Sequence, residues 1–249
     1  KAKLDEQMEI AQKIQQDLIP QSGINNDHIS LDGFYKAAAG VGGDYYDFII
    51  AGGSESAPIG VAIGDVSGHG ISSALLMASA RAFLRQRVSL PGTLGQIISD
   101  VNAQLAKDIA ESHNFMTLFY LRIDHGHKKI EWVRAGHDPA IFYDPRTRSF
   151  EALEGEGIPL GVEESWVYTE NKKENLSEGQ IIVLATDGVW ESQNVAGEMF
   201  GKDRMYDLIR ANSALSAKGI LNILMDMLHR FTKGKNFEDD VTLVVIKIQ

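Results

Sequence analysis

The first hydrophobic pattern along the chain is a helical one. Residues 1–19 contain neither glycine nor proline, and their apolar positions recur at spacings of four, three, three and four. The resulting stripe consists of Leu4, Met8, Ala11, Ile14 and Leu18. Pro20 ends the pattern. We expect a helix packed on its own domain, and the same stripe also fits the end of a coiled-coil linker or switch helix that could form a homodimer.

Beyond residue 20 the pattern changes to short strands. Apolar runs bounded by Gly, Pro and Asp predict ten strands, over residues 29–38, 45–50, 58–64, 115–123, 129–135, 140–143, 149–153, 166–172, 180–185 and 241–248. Helical periodicity predicts four further helices, over residues 71–88, 93–110, 202–210 and 216–231. Runs of adjacent strands favour antiparallel sheets, and no linker divides the chain after residue 20. We therefore predict one α+β domain over residues 20–249, preceded by the helix of residues 1–19.

The composition excludes several classes of site and partner. The chain has 249 residues, of which 24 are basic and 34 acidic, so its net charge is −10, and it has no cysteine. Disulfides, cysteine-ligated zinc and a thiol nucleophile are therefore excluded, and the negative charge argues against nucleic acid or an anionic membrane as a partner. No apolar run is long enough to span a bilayer. We expect a cytoplasmic location, and the start at Lys1 rather than Met predicts a longer protein with an upstream sensor or receiver domain, which could itself be tethered to a membrane.

Acidic residues lie at the ends of four predicted strands. Asp65 and Asp187 each directly follow a strand, whereas Asp44 and the Asp239-Asp240 pair directly precede one. If the strands with a trailing acid run antiparallel to those with a leading acid, all of these carboxylates meet at one sheet edge. Each acid alone has a simpler interpretation as a turn residue or a solvated side chain.

Carboxylates held together repel one another unless a cation or protons intervene. Oxygen-only clusters suit hard divalent ions such as Mg²⁺ or Mn²⁺, and the absence of cysteine is consistent with that choice. Two such ions about 4 Å apart can share a carboxylate and a hydroxide that attacks a phosphoryl group in line. The pattern therefore predicts a site for phosphoryl chemistry.

Two histidines lie in loops near these acids. His69 belongs to the segment SGHG at residues 67–70, which leads into a predicted helix whose N-terminus would favour a phosphate. It could donate to a phosphate oxygen or protonate the leaving serine oxygen, and the alternative is a hydrogen bond that fixes the loop. His137 lies at a turn between two predicted strands, where we expect a structural role.

Five short sequence blocks occur along the chain. They are GGDYYD at residues 42–47, GDVSGHG at 64–70, AGH at 135–137, TDG at 186–188 and DDVT at 239–242. Together they resemble the metal-dependent serine/threonine phosphatases (PPM, or type 2C), in the bacterial SpoIIE-type branch that controls sigma-factor partner switching. The resemblance covers roughly residues 8–249, and its specificity comes from the whole set of blocks.

The resemblance implies a four-layer αββα fold, a β-sandwich of two antiparallel sheets flanked by helices, with two Mn²⁺ or Mg²⁺ ions at one end. The implied metal ligands are Asp44, Asp65, the carbonyl of Val66, Asp187 and Asp239, with Asp240 as the alternative to Asp239. In this scheme Asp65 would bridge both ions, Asp44 would support the first, and Asp187 with Asp239 would hold the second.

The catalytic candidates are Asp44, Asp65 and His69. Eukaryotic-type relatives hold phosphate with an arginine near the metals and use a histidine as the general acid, and the SpoIIE-type branch usually lacks both. We find no arginine near Asp44 in the sequence. Three arginines in the predicted helix 71–88 are expected to face solvent or the substrate protein: Arg81, Arg85 and Arg87.

The sequence thus favours a protein serine/threonine phosphatase, in which a metal-bridging hydroxide attacks phosphoserine or phosphothreonine on a small regulatory protein. The family context implies a phosphorylated anti-anti-sigma factor of the STAS type as the substrate. The alternative is a catalytically weak signalling module that binds a partner protein and acts through dimerisation. A nuclease is a third possibility, which the net charge of −10 disfavours.

Overall fold

Two antiparallel sheets form the centre of the computed structural model, which describes residues 2–50, 57–111, 114–126 and 128–249. One sheet has the order β1-β2-β11-β10-β7-β8, from the strands Ile24–Asn25, Ile29–Lys36, Val241–Ile248, Ile181–Ala185, Ala140–Asp144 and Ser149–Leu153. The other has the order β3-β4-β5-β6-β9, from Tyr45–Ile50, Ile59–Val66, Met116–Asp124, Lys129–Ala135 and Asn171–Lys173. We call them the β11 sheet and the β4 sheet.

Six helices accompany the sheets in the described part of the chain. They are α1 (Ala2–Leu18), α2 (Ile71–Val88), α3 (Leu94–Ile109), α4 (Asp187–Glu191), α5 (Lys202–Ala211) and α6 (Ala217–Thr232). One hydrophobic core lies between the two sheets and extends to α2 and α3, and a second joins the outer face of the β11 sheet to α5 and α6. The layers are therefore helices, sheet, sheet, helices, which confirms the predicted αββα sandwich.

The central strands of the β11 sheet are apolar on both faces. Along β10, Ile182 and Leu184 belong to the core between the sheets, whereas Ile181 and Val183 belong to the core under α5 and α6. Successive side chains of a strand point to opposite faces, so a strand buried on both sides needs a continuous apolar run. This explains why the segment was recognisable as a strand from its sequence.

The strand predicted over residues 166–172 is mostly wrong. Only Asn171–Lys173 form a strand, because the preceding residues bind the start of α3 instead. The Tyr168 N–H donates to the Ser99 hydroxyl at 3.0 Å, and the Glu170 carboxylate accepts from the Leu94 N–H at 2.9 Å. The short elements β1 and α4 were not predicted, since two to five residues carry too little periodicity to detect.

The acidic positions lie at the ends of strand pairs from different sheets. Tyr45 of β3 pairs with Gly64 of β4, and Ala185 of β10 pairs with Leu243 of β11, both in antiparallel register. The prediction that the acids share one sheet edge is therefore wrong in detail. The acids lie at the same end of two stacked sheets: Asp44 and Asp65 next to or in strands of the β4 sheet, and Asp187 and the Asp239-Asp240 pair next to strands of the β11 sheet.

No helix in the described ranges is long and apolar enough to cross a membrane. The predicted helix of residues 1–19 is present as α1, although Lys1 and the side chain of Leu4 lie outside what the structure describes. The division between this helix and a domain over residues 20–249 stays a prediction.

Candidate functional site

Two carboxylates, one buried and one partly exposed, form the centre of the site. Asp44 comes directly before β3 and is 2% exposed, and Asp65 lies inside β4 within hydrogen-bond reach of it. The hydroxyls of Thr186 and Thr242 both donate to Oδ2 of Asp44, at 2.8 and 2.6 Å. Because Thr242 lies in β11 and Thr186 directly follows β10, they join the acids of the β4 sheet to the opposite half of the sandwich.

Burial and neighbouring negative charges raise the pKa values of both carboxylates. Burial, followed by repulsion from Asp187, Asp239 and Asp240, raises the pKa of Asp65 to about 7. Burial and the charge of Asp65 raise the pKa of Asp44 well above its usual value. A site that makes several carboxylates hard to ionise is one that a divalent cation would stabilise.

Asp187 and Asp239 form the second, more open part of the cluster. Asp187 is the first residue of α4, directly after β10, and its pKa is raised by burial and by the charge of Asp239. Asp239 is exposed, and its Oδ1 accepts the Asp240 N–H at 2.8 Å. Both acids are near enough to raise the pKa of Asp65, so the structure places these carboxylates in one region at the end of the sandwich.

Asp240 has different surroundings from its neighbour Asp239. Its Oδ1 accepts the Ala38 N–H at 2.9 Å, and its Oδ2 accepts the N–H groups of Gly43 and Asp44 at 2.8 and 3.3 Å. A Cβ on Gly42 would lie 1.9 Å from Asp240 Oδ2, so only glycine fits there. Asp240 therefore holds the loop that carries Asp44, with both of its oxygens engaged.

Val66 and His69 follow Asp65 along the chain. The carbonyl oxygen of Val66 faces Gly43, where an added Cβ would lie 2.7 Å from it. His69 is exposed, and among the described residues its ring makes no hydrogen bond or ring contact. Val66 is thus next to the acid cluster, and His69 lies on the solvent side of the following loop.

A cavity of about 180 Å³ opens beside the acids. It is lined by Asp65, Thr117, Arg134, Gly136, His137, Asp138, Thr186 and Asp187. His137 is buried and its Nδ1 lies 2.8 Å from the Thr117 hydroxyl, whereas Nε2 makes no hydrogen bond. Burial lowers the pKa of His137 to about 4, so the ring is neutral at pH 7. The AGH block therefore forms one wall of the site.

Two basic side chains near this cavity were missed in the sequence. Arg134 lines the cavity, and its Nε and Nη1 donate to the carbonyls of His137 and Gly155. The ammonium of Lys202, at the start of α5, lies 3.3 Å from Asp138. Both residues are far from Asp44 in sequence, and the only available signal was that Arg134 directly precedes the AGH block.

The arginines of α2 bind partners within the chain, and of the three only Arg85 is exposed, as expected. Arg85 binds the fully buried carboxylate of Asp47 through two hydrogen bonds of 2.6 Å. Arg81 donates to the Leu18 carbonyl at 2.9 Å, and Arg87 binds Asp100 at 2.7 Å. A buried carboxylate needs charged partners, and only the three-dimensional packing placed Asp47 next to α2.

The donor set fits a hard divalent cation. Asp44 and Asp65 lie close together, and the pKa values of both are raised. A cation shared by the two carboxylates would reduce their mutual repulsion. As the side chains stand, no three acidic or histidine groups among the described residues enclose a single point. An ion here would therefore take part of its coordination from water and backbone oxygens, as Mg²⁺ commonly does.

Comparison with known proteins agrees with this arrangement. Residues 55–249 match the family described as Stage II sporulation protein E (SpoIIE). Phosphoserine phosphatase RsbU of Bacillus subtilis (strain 168) is 28% identical over 244 residues, which are 97% of this chain and 70% of RsbU. The chain spans 58% and 41% of the length of two further curated relatives.

Solved structures show the same fold at lower identity. The SiaA-PP2C domain of Pseudomonas aeruginosa superposes with a TM-score of 0.82 at 18% identity, over 100% of this chain and 98% of that one. RsbX in complex with magnesium superposes with a TM-score of 0.67 at 17% identity, over 92% of this chain and 99% of that one. The two sheets and their flanking helices are therefore those of PP2C phosphatase domains.

Proposed function

Because the chain belongs to the SpoIIE family, we propose that it is a metal-dependent protein phosphatase that hydrolyses phosphoserine or phosphothreonine on a small regulatory protein. The observation that carries this proposal is the close approach of Asp65 to the buried Asp44, two carboxylates whose raised pKa values favour a bound cation. The similarity to the phosphoserine phosphatase RsbU supports the choice of reaction.

The proposed cofactor is a pair of Mn²⁺ or Mg²⁺ ions. When bound, these ions would supply an activated water and positive charge opposite the phosphoryl group. Asp65 would contact both ions, with Asp44 and the Val66 carbonyl on the first and Asp187 and Asp239 on the second. We leave Asp240 out of this ligand set because both of its oxygens accept backbone N–H groups.

The protein's own groups have separate tasks in this scheme. Thr186 and Thr242 orient Asp44 by donating to one of its oxygens, which leaves the other oxygen to the cation. The cavity beside Asp65 and Asp187 admits the phosphorylated side chain. Lys202, whose ammonium lies 3.3 Å from Asp138 in the cavity lining, would attract the phosphate. His69, exposed on the following loop, is the candidate proton donor to the leaving oxygen.

The proposed substrate is a phosphorylated anti-anti-sigma protein of the STAS type. Support comes from the similarity to RsbU and from membership of the SpoIIE family. We also propose an upstream sensor or receiver domain, a homodimer through α1 and a cytoplasmic location.

The test is release of phosphate from an aryl phosphate by the purified chain, with Mn²⁺ and with EDTA. We expect activity only with metal, and a loss of at least about a hundredfold in Asp65→Asn, because that carboxylate would contact both ions. Asp226→Asn, which changes an exposed acid on α6, is the control and should retain activity. Wild-type protein without metal-dependent phosphate release would contradict the proposal.

A further inference from the structure

Two histidines lie together at the end of the sandwich opposite the carboxylates. His28 directly precedes β2 of the β11 sheet, and His125 directly follows β5 of the β4 sheet. Their ring centroids are 4.8 Å apart, and the ring planes are tilted by 41°. Among the described residues, neither ring takes part in a hydrogen bond. Two imidazoles from different sheets are therefore in contact, with nitrogens available to a ligand.

The backbone at both histidines is held by hydrogen bonds. The backbone N–H of Gln249 donates to the His28 carbonyl at 2.9 Å, and the His28 N–H donates to the side-chain carbonyl of Asn26 at 3.0 Å. The Lys128 N–H donates to the His125 carbonyl at 3.2 Å, within the turn between β5 and β6. The two turns are thus fixed by the fold, and the distance between the histidines is set by the packing of the sheets.

A cavity of about 160 Å³ opens beside the two rings. Its lining includes both imidazoles together with Leu176, Glu178 and Lys128. Glu178 is exposed and adds one carboxylate to the lining, and Lys128 adds one opposing positive charge. Because a water molecule takes up about 30 Å³ in the liquid, the cavity has room for an ion with several waters.

The spacing of the rings fits a shared transition-metal ion. Neutral imidazole is a common metal ligand in proteins, and it binds Zn²⁺ at Zn–N distances of about 2.0–2.1 Å. Two imidazoles on one tetrahedral ion therefore have ring centroids about 5 Å apart. The observed separation of 4.8 Å agrees with this value. Mg²⁺ prefers oxygen ligands, so a pair of imidazoles favours Zn²⁺ over the ions proposed for the carboxylates.

This end of the molecule is remote from the acid cluster. Strand β11 begins directly after Asp240 and ends eight residues later at Ile248, which pairs with Ile29 next to His28. At about 3.4 Å per residue, the two ends of this strand lie roughly 25 Å apart. An ion at the histidines would therefore be out of reach of the carboxylates.

We propose that His28 and His125 form a binding site for a transition-metal dication of the Zn²⁺ type, with water completing the coordination. Among the described residues no three acidic or histidine side chains enclose one point, so the two imidazoles would be the protein's ligands, and Glu178 would contribute its charge. The ion would join the turn before β2 to the turn after β5. It would thereby cross-link the two sheets and stabilise the folded chain.

The first experiment locates the ion by NMR of the histidine rings during titration with ZnCl₂. One equivalent of Zn²⁺ should shift the ring signals of His28 and His125 together, whereas Mg²⁺ should shift neither. His229 is the internal control, because it is exposed on α6 and its Nδ1 lies 2.8 Å from the Met225 carbonyl. Its signals should stay unchanged.

The second experiment measures Zn²⁺ affinity by calorimetry in an Asp65→Asn chain, so that ions held by the carboxylates contribute less. His28→Gln and His125→Gln should each weaken binding at least about tenfold, since loss of a partner one shell further out already costs about 10–100-fold. His229→Gln is the matched control and should keep the affinity. Zn²⁺ should also raise the urea midpoint of unfolding, and both site variants should lose this effect.

Three results would overturn the proposal. Ring signals that do not move in excess Zn²⁺ would exclude a site, and a shift of only one histidine would indicate a single surface ligand. A shift of both rings by inorganic phosphate and not by Zn²⁺ would indicate an anion site instead. None of these readouts needs turnover, so they test the histidine site independently of the proposed phosphatase activity.

Discussion

Asp239 and Asp240 differ in what their carboxylates bind. Asp240 accepts three backbone N–H groups, whereas Asp239 is exposed and, among the described residues, accepts only the Asp240 N–H. Neighbouring residues next to a strand point in different directions, so the sequence could not tell which acid faces the cluster. The two acids can be separated by experiment because they have different neighbours.

We predict that Asp240→Asn mainly lowers stability, whereas Asp239→Asn mainly removes activity. In EDTA, Asp240→Asn should lower the free energy of unfolding by about 1–3 kcal/mol, because an amide cannot accept all three N–H groups. Asp239→Asn should leave that free energy nearly unchanged and should abolish metal-dependent phosphate release. Urea denaturation and the phosphatase assay measure the two effects. Equal loss of stability in both variants would contradict this assignment.

Gln15 shows a second limit of prediction at the level of single residues. The apolar spacing placed Ile14 in the buried stripe of α1, yet Ile14 is 59% exposed and Gln15 is buried. Hydrophobic periodicity detects apolar contact and gives no signal for a buried amide that binds a distant loop. The helix was therefore predictable, as were the partly buried positions Met8, Ala11 and Leu18 of its stripe, whereas the buried Gln15 was not.

At the scale of elements, α4 and α5 bring charge to the cavity. Helix α4 begins at Asp187, and α5 begins at Lys202, whose ammonium lies 4.0 Å above the Trp190 ring and 3.3 Å from Asp138. The contact with Asp138 is partly exposed, so it can be exchanged for another anion at small cost. This makes Lys202 a cation available to a phosphorylated substrate.

We predict that Lys202→Ala raises KM for a phosphoserine peptide about fivefold and changes kcat by less than about twofold, because it removes attraction and leaves the carboxylates intact. Steady-state kinetics with saturating Mn²⁺ provide the measurement. Lys218→Ala is the matched control. It changes an exposed lysine near Ser30, at the far end of the β11 sheet from Asp240. An unchanged KM in Lys202→Ala would exclude a role in binding.

At the scale of the whole molecule, the sandwich gathers acids that repel one another. These acids, at residues 44, 65, 187 and 239–240, lie in or next to strands of two different sheets. Their repulsion opposes folding unless protons or a cation are present. The stability of the metal-free protein should therefore depend on pH through Asp65.

We predict that wild type loses stability relative to Asp65→Asn as pH rises from about 4 to 7 in EDTA. The folded protein holds the Asp65 proton up to a pKa of about 7, whereas the unfolded chain releases it near the usual value of 3.8. The stabilising contribution is therefore complete below about pH 4 and is lost as pH rises through 7. Urea unfolding at several pH values measures the difference between the two proteins.

His137 does not disturb this comparison. Its pKa is lowered to about 4 by burial, so its own contribution to stability rises with pH, but it is present in both proteins and cancels. Mn²⁺ added at pH 8 should stabilise wild type and leave Asp65→Asn nearly unchanged. A stability difference that does not vary with pH would contradict the prediction.

The sequence by itself determined most helices and strands and the acids at their ends. Periodicity, glycine and proline turns and aspartates next to strands act over a few residues, so they can be recognised without the fold. The αββα sandwich was predicted through the family resemblance that the five blocks carry. The segment 166–172 failed because its backbone binds α3, a contact between residues far apart in sequence.

Only the tertiary structure decided which groups meet. Stacking of two sheets joined Asp44 and Asp65 to Thr186 and Thr242, brought Arg134 to the cavity, and attached Gln15 to the loop of Asp44. These contacts join segments separated by tens to hundreds of residues, and no local pattern encodes their direction. Helices and strands form largely according to their own residues, so they can be recognised locally. The orientation of side chains at the site depends on how the sheets and helices pack against one another, so it cannot be recognised locally.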